Sequence, residues 1–194
     1  MLQVRSLVLF LSLFGLFAVA CFATTVDFDT FTPADTCLSS LSTGGLTFTN
    51  SGTGCLAVWT GSPNTPGIGD LIFGFGGTVA ITQTDNSAFD LNSLDMTISW
   101  YDSLASDTAS LTADFQGGGS STTTLTLGQG LALYNLGLSD VTEVDLSGLA
   151  SDTGYWAIDQ IDYTSVVPEP SATPLVIGLA VAMFVAFRRK AKIA

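Results

Sequence analysis

The side chains able to do chemistry in this chain of 194 residues are few, and they are segregated. There is no histidine, and all five basic residues stand at the ends, Arg5 near the start and Arg188, Arg189, Lys190 and Lys192 near the finish. Sixteen of the seventeen acids lie between residues 24 and 167, where no Lys, Arg or His occurs. A Ser-His-Asp or Cys-His nucleophile cannot be assembled there, nor can a phosphate clamp. Two carboxylates suffice in principle for glycoside hydrolysis, but these acids are scattered along turns and no pair stands out. The expectation is a protein that is not an enzyme.

The same segregation bounds the partners. The formal charge is -12 for the whole chain and -16 between residues 24 and 167, with no internal counter-charge. An ion pair is excluded within that stretch, and a nucleic acid would be repelled. Such a surface stays soluble by self-repulsion and suits divalent cations or strongly acidic surroundings.

The first 23 residues, one arginine followed by an apolar run from Leu7 to Val19 and then small residues, read as a secretory signal peptide for signal peptidase. Cleavage after Ala23 or after Ala20 fits, and Ala18-Val19-Ala20-Cys21 is a loose lipobox that would instead lipidate Cys21. With Cys21 removed, Cys37 and Cys55 remain in a chain bound for an oxidising compartment, and the pair reads as one disulfide. Metal ligation is the alternative, but no His or third thiol is present to complete a zinc site.

The elements that must position these groups are strands. Period-2 alternation marks residues 24–29, 45–50, 55–60, 70–75, 78–84, 93–102, 109–116, 121–128, 131–136, 141–146 and 154–165, separated by turn clusters such as "SPNTPGIGD" and "GGGSS". No stretch before the tail carries a helical stripe. The pattern predicts an all-β domain over 24–165, an antiparallel β-sandwich. In "LDMTISWY" the set Leu94, Met96, Ile98 and Trp100 is expected to face the core, with Asp95, Thr97, Ser99 and Tyr101 facing out. In "YWAIDQIDYT" the apolar set Trp156, Ile158, Ile161 and Tyr163 requires a one-residue slip, hence a β-bulge that re-aims Asp159.

The segment 166–194 closes the chain with "VVPEPSATPLVIGLAVAMFVAFRRKAKIA". Its prolines hold Glu169 in an extended stretch. The 13 apolar residues from Leu175 to Phe187 would make a helix of about 20 Å, short of a bilayer core of about 30 Å unless the span extends over roughly 172–188. The basic end should stay cytoplasmic and the acidic domain outside. A membrane anchor that is never processed is the plain alternative.

This tail closely resembles the PEP-CTERM sorting signal: Val167, Pro168, Glu169 and Pro170, a short transmembrane segment, then Arg188, Arg189, Lys190 and Lys192 at the terminus. The same segment is also catalogued as an ice-binding-protein C-terminal domain. The resemblance implies export across the inner membrane of a bacterium of Gram-negative type and transient anchoring by the C-terminal helix. It also implies recognition of Pro-Glu-Pro by an exosortase, and delivery to the cell surface or its exopolysaccharide.

The body more loosely resembles the small jelly-roll domains often found ahead of this tail, with relatives among carbohydrate-binding modules. "VDFDTFTP", "GGLTFTN", "FDLNSLDMTISW", "VTEVDLSG" and "YWAIDQIDYT" carry the likeness. By that resemblance the first and last strands would lie together and share a structural calcium at Asp27, Asp29 and Asp159, with Asp162 as a fourth candidate. Calcium wants six to eight oxygens, so these acids could seed a site but not complete it. Contact with sugars is expected at exposed aromatics, Trp59, Tyr101 or Tyr134. The alternative is ice, on the hydroxyl row Thr122, Thr124 and Thr126, although one row is no array.

Overall fold

A computed structural model describes residues 23–29, 37–52, 54–59, 70–74, 77–98, 106–147 and 155–166. They belong to one compact unit, Cys21–Val166. The signal peptide apart from Ala23, the sorting motif, the transmembrane segment and the basic end lie outside the described residues.

The described chain is an all-β, antiparallel structure of eleven strands: β1 Ala23–Asp27, β2 Ser40–Thr43, β3 Leu46–Gly52, β4 Leu56–Trp59, β5 Asp70–Gly74, β6 Gly77–Gln83, β7 Phe89–Ile98, β8 Ser106–Phe115, β9 Ser120–Gly128, β10 Ala132–Ser147 and β11 Tyr155–Ser165. The sheet runs β2-β3-β6-β10-β7-β11-β5-β4. It folds into two layers because β10 and β11 each change partners along their length. The second half of β10 pairs with β6 and β8, and β9 follows β8, whereas its first half pairs with β7. The start of β11 pairs with β5 and its end with β1, while β7 runs along its other edge.

The strands expected separately at 131–136 and 141–146 are one continuous strand, β10, in the structure. Gly137 (φ 59°) and Asp140 (φ 56°) sit at the two register shifts against β7, so the segment is a bulged corner inside one strand. The Asp90 carboxylate accepts the Asp140 N–H at 2.9 Å, and the Asp140 carbonyl accepts from Gln116 N–H at 2.8 Å, which holds the corner on both sides. A second correction is β2, whose short "SLST" has no apolar alternation to announce it. It exists because Gly44 (φ 54°) and Gly45 (φ 84°) make the two-residue hairpin that returns the chain into β3.

Inward-facing residues of both layers form one core, with Trp156, Phe28, Phe48, Phe89, Leu94 and Met96 fully buried. Phe28 meets Phe48 edge-on across the layers, ring centroids 5.7 Å apart. The expected inward set on β7 holds for Leu94, Met96 and Ile98, and that on β11 for Trp156, Ile158, Ile161 and Tyr163. Polar ties also cross the core. The Trp156 indole N–H donates to the Ser147 carbonyl at 3.1 Å, the Tyr163 hydroxyl to the Gly44 carbonyl at 2.6 Å, and the Gln83 amide to Ser165 Oγ at 2.8 Å.

The expected disulfide is present between Cys37 and Cys55, with Cα atoms 4.9 Å apart. It sits just ahead of β2 and β4, the two ends of the sheet path, where Leu38 N–H also donates to the Leu56 carbonyl at 2.7 Å. The bridge therefore draws the open edges together.

Replacing both Cys37 and Cys55 by serine should cost about 3 kcal/mol in urea unfolding, and reductant should reproduce that loss in the native protein but not in the variant. Gly45→Ala should cost about 1–3 kcal/mol, because it combines a positive φ with a Cβ driven into the Tyr163 hydroxyl, whereas Gly117→Ala, with open space around it, should be nearly neutral.

Candidate functional site

The β11 bulge falls where the alternation places it. Register against β7 shifts between Ile158 and Gln160, so Asp159 has no partner in that ladder and leaves the sheet beside Gln160 on the outer side. On β1, Asp27 lies opposite Gln160 and is exposed, as is Asp29 just beyond the strand. Half-burial raises the Asp159 pKa, and the charges of Asp29, Asp95 and Asp27 raise it further, in that order. The three calcium candidates thus share one electrostatic neighbourhood. Among the described residues, however, no three acids or thiols gather closely enough to hold a metal ion. Nor does Asp162 complete such a set. It pairs with Thr25 on one side and Ser93 on the other, one position along the sheet.

That second position reveals residues that single-strand reasoning does not single out. Across β1, β11, β7 and β10 two outward rows run side by side: Asp27, Gln160, Asp95 and the apolar Leu133, then Thr25, Asp162, Ser93 and Asn135. Between them lies a depression of about 230 Å³ lined by Thr25, Ser93, Asp95, Leu133, Gln160 and Asp162. At one end Thr97, expected on the outer face, is on that face but buried. The turn between β9 and β10 folds over it, and its hydroxyl donates to the Gly128 carbonyl and accepts from Gly130 N–H, both at 3.0 Å. At the other end Asn92 stands unpaired at a second register shift and donates to Thr164 Oγ1 at 3.2 Å. Leu133, 58% exposed, is the large hydrophobic residue left open among the described residues.

The expected aromatic contacts fare differently. Tyr134 is half-buried against the core, and its hydroxyl donates to the Thr126 carbonyl at 2.6 Å; burial raises its pKa. It is a rim residue with its polar end already engaged. The side chains of Trp59 and Tyr101 lie outside the described residues.

Thr122, Thr124 and Thr126 are exposed on one face of β9, and the structure adds neighbours to that row. They stand opposite Thr112, Ser110 and Thr108 on β8, and Thr112 continues through Asp145, Ala80 and Thr49 to Ser40. Thr112 and Thr122 hydroxyls are 3.0 Å apart. Asp145 interrupts this hydroxyl face with charge. Its pKa is raised by partial burial and by Asp114, and that of Glu143 is raised by partial burial, Asp145 and Asp114.

No protein family matches the sequence, and no curated protein does. Among solved structures the chain is similar to the enzymatically active domain of tailspike protein 4 of bacteriophage CBA120, 15% identical over 63% of this chain and 19% of that one, with a TM-score of 0.37. It is similar to BiXyn10A CBM1 in its apo form, 13% identical over 73% and 96%, TM-score 0.43. It is also similar to the CBM22-1-GH10 modules of Clostridium thermocellum xylanase 10B complexed with xylohexaose, 12% identical over 74% and 28%, TM-score 0.39. Likeness at this level is a likeness of strand architecture and carries no argument about ligands.

Three carboxylates, Asp159, Glu143 and Asp145, have pKa values raised in the folded state. The native protein then holds protons more tightly than the unfolded chain, so this contribution to stability is present at low pH and is lost as pH rises through the folded values. Asp85 acts oppositely, since the Ser87 hydroxyl and then its N–H lower its pKa, but it is fully exposed and contributes little. The melting midpoint should therefore be higher near the ordinary carboxylate range, about pH 4.5, than at pH 7. Asp159→Asn should flatten that slope, and a calcium-dependent rise in midpoint that this variant abolishes would mark an ion shared with Asp27 and Asp29.

Proposed function

We propose that this is an exported, non-enzymatic protein of the cell surface or extracellular matrix. In this reading its tail is recognised at Val167, Pro168, Glu169 and Pro170 by an exosortase-type enzyme, and its jelly-roll-like β domain serves exopolysaccharide as a structural or weakly carbohydrate-binding element. The observation that carries the reading is the Cys37–Cys55 disulfide, placed where it closes the sheet path. A structural bridge of this kind is favoured in an oxidising compartment, which supports the export implied by the signal peptide and the outward-facing acidic domain. The absence of any Lys, Arg or His between residues 24 and 167 supports a binding or structural role over catalysis.

The hydroxyl rows running from β9 to β2 favour a second reading, adsorption to ice, because the Thr122, Thr124 and Thr126 row is not alone. Asp145 within the rows and the twist expected of a six-stranded layer weigh against a flat lattice match. Thermal hysteresis in a cooled solution separates this reading from the first.

Mass spectrometry of the protein from its own cells should find a C-terminus near Pro168 to Ser171. Glu169→Ala should leave the tail intact and the protein in the membrane fraction. An intact wild-type tail would instead identify a permanent single-pass anchor.

A further inference from the structure

Three neighbouring strands are irregular around the depression on the second layer. β11 is bulged at Asp159, β7 at Asn92, and β10 shifts register twice between Asn135 and Val141. Each bulge uses an extra residue to turn polar side chains outward without disturbing the inward apolar set, and such devices recur where a side chain must be re-aimed. Together they leave Gln160, Asp162, Ser93 and Asp95 around one hollow.

Two features of the lining define the chemistry it can take. Asp95 and Asp162 are acceptors when ionised, Gln160 both accepts and donates, and Ser93 and Thr25 do the same through hydroxyls. The hollow is therefore rich in acceptors and contains no cation, so its complement is a donor-rich molecule without negative charge, and the row of hydroxyl and amide partners beside the carboxylates favours one with many hydroxyls. An anionic ligand would meet Asp27, Asp95 and Asp162 with nothing to offset the repulsion. Leu133 at the rim gives an apolar surface against which the C–H face of a sugar ring can lie. Four strands at about 4.8 Å spacing make the rows about 14 Å wide, more than one pyranose ring.

We propose that the depression bounded by Thr25, Ser93, Asp95, Leu133, Gln160 and Asp162 is a binding subsite for an uncharged polysaccharide, and that it discriminates against uronic-acid chains. This rests on the surface-protein reading above and names the contact through which such a protein would meet its matrix. Gln160 and Asp162 grip vicinal hydroxyls from β11, Ser93 and Asp95 from β7, and Leu133 supports the ring. Specificity comes from the acceptor excess, because a hydroxyl-rich ring satisfies these groups and a carboxylate does not.

The test is affinity electrophoresis of the protein purified from its own cells, in native gels containing hydroxyethylcellulose, polygalacturonate or no polymer. Retardation by the neutral glucan and none by polygalacturonate is expected. Gln160→Ala and Asp162→Ala should each weaken it about tenfold, the effect of losing one or two hydrogen bonds in a desolvated site. Asp162→Asn, which keeps shape and one acceptor, guards against misfolding and should retain more binding than the alanine variant. Thr49→Ala on the opposite layer should bind as wild type. Equal mobility in all three gels, preferential retardation by polygalacturonate, or retardation unaffected by the β11 variants would each overturn the proposal. None of these results touches the state of the C-terminus, so failure here is distinct from failure of the sorting reading.

Discussion

Between residues 24 and 167 no side chain carries a positive charge, and much of the structure follows from that constraint. A buried polar group here cannot be neutralised by a lysine or arginine, so hydroxyls, amides and main-chain groups must satisfy it. They do so at the places where the layers meet. Gln83, 5% exposed, is held by Ser165 and Ser87; Tyr163 reaches Gly44; Trp156 reaches Ser147; Thr97 reaches both sides of the turn at 128–130. Because the acids repel one another without compensation, those among the described residues are kept at the surface or half-buried, and cohesion rests on the apolar core and the disulfide.

Strand β11 shows how the core and the outer face are reconciled. Its first half must keep Trp156 and Ile158 inward while pairing with β5, and its second half must keep Ile161 and Tyr163 inward while pairing with β1. Simple alternation would send Ile161 out, since 158 and 161 have opposite parity. One extra residue corrects the phase, and the correction expels Asp159 and Gln160 together on the outer side. The polar character of that face is thus tied to a packing requirement of the core.

This explains which features are legible in sequence. The inward positions of Leu94, Met96 and Ile98 on β7, the inward set of β11 and its bulge follow from alternation, which is local, and the cysteine pairing from the even count left once the signal peptide is removed; Trp100, expected in the same set, lies outside the described residues. The bent β10 is misread because Gly137, Ser139 and Asp140 have the composition of a turn, and only the presence of β6, β7 and β8 as partners makes the segment a continuous strand. β2 is missed because its four residues carry no pattern, and the hairpin glycines alone create it. The lining of the depression is beyond local reading altogether. Asp95 can be placed on an outer face, but its neighbours Gln160 and Leu133 are 65 and 38 positions away in sequence and meet it only through strand order.

The two outer faces share a chemistry of hydroxyls and carboxylates and differ in relief. On the first layer, Thr112, Thr122 and their neighbours follow regular pairing, and their hydroxyls bond to one another, as do Ser42 and Thr47 at 3.0 Å. At these pairs the hydroxyls engage one another within the surface. On the second layer, bulges break the regular pairing and set side chains apart around a hollow, so acceptors remain turned toward solvent. A surface that satisfies itself has little to gain from a polar ligand, whereas one whose acceptors face a concavity gains a hydrogen bond for each donor supplied. Composition makes both faces polar, but irregularity in three adjacent strands makes one of them receptive.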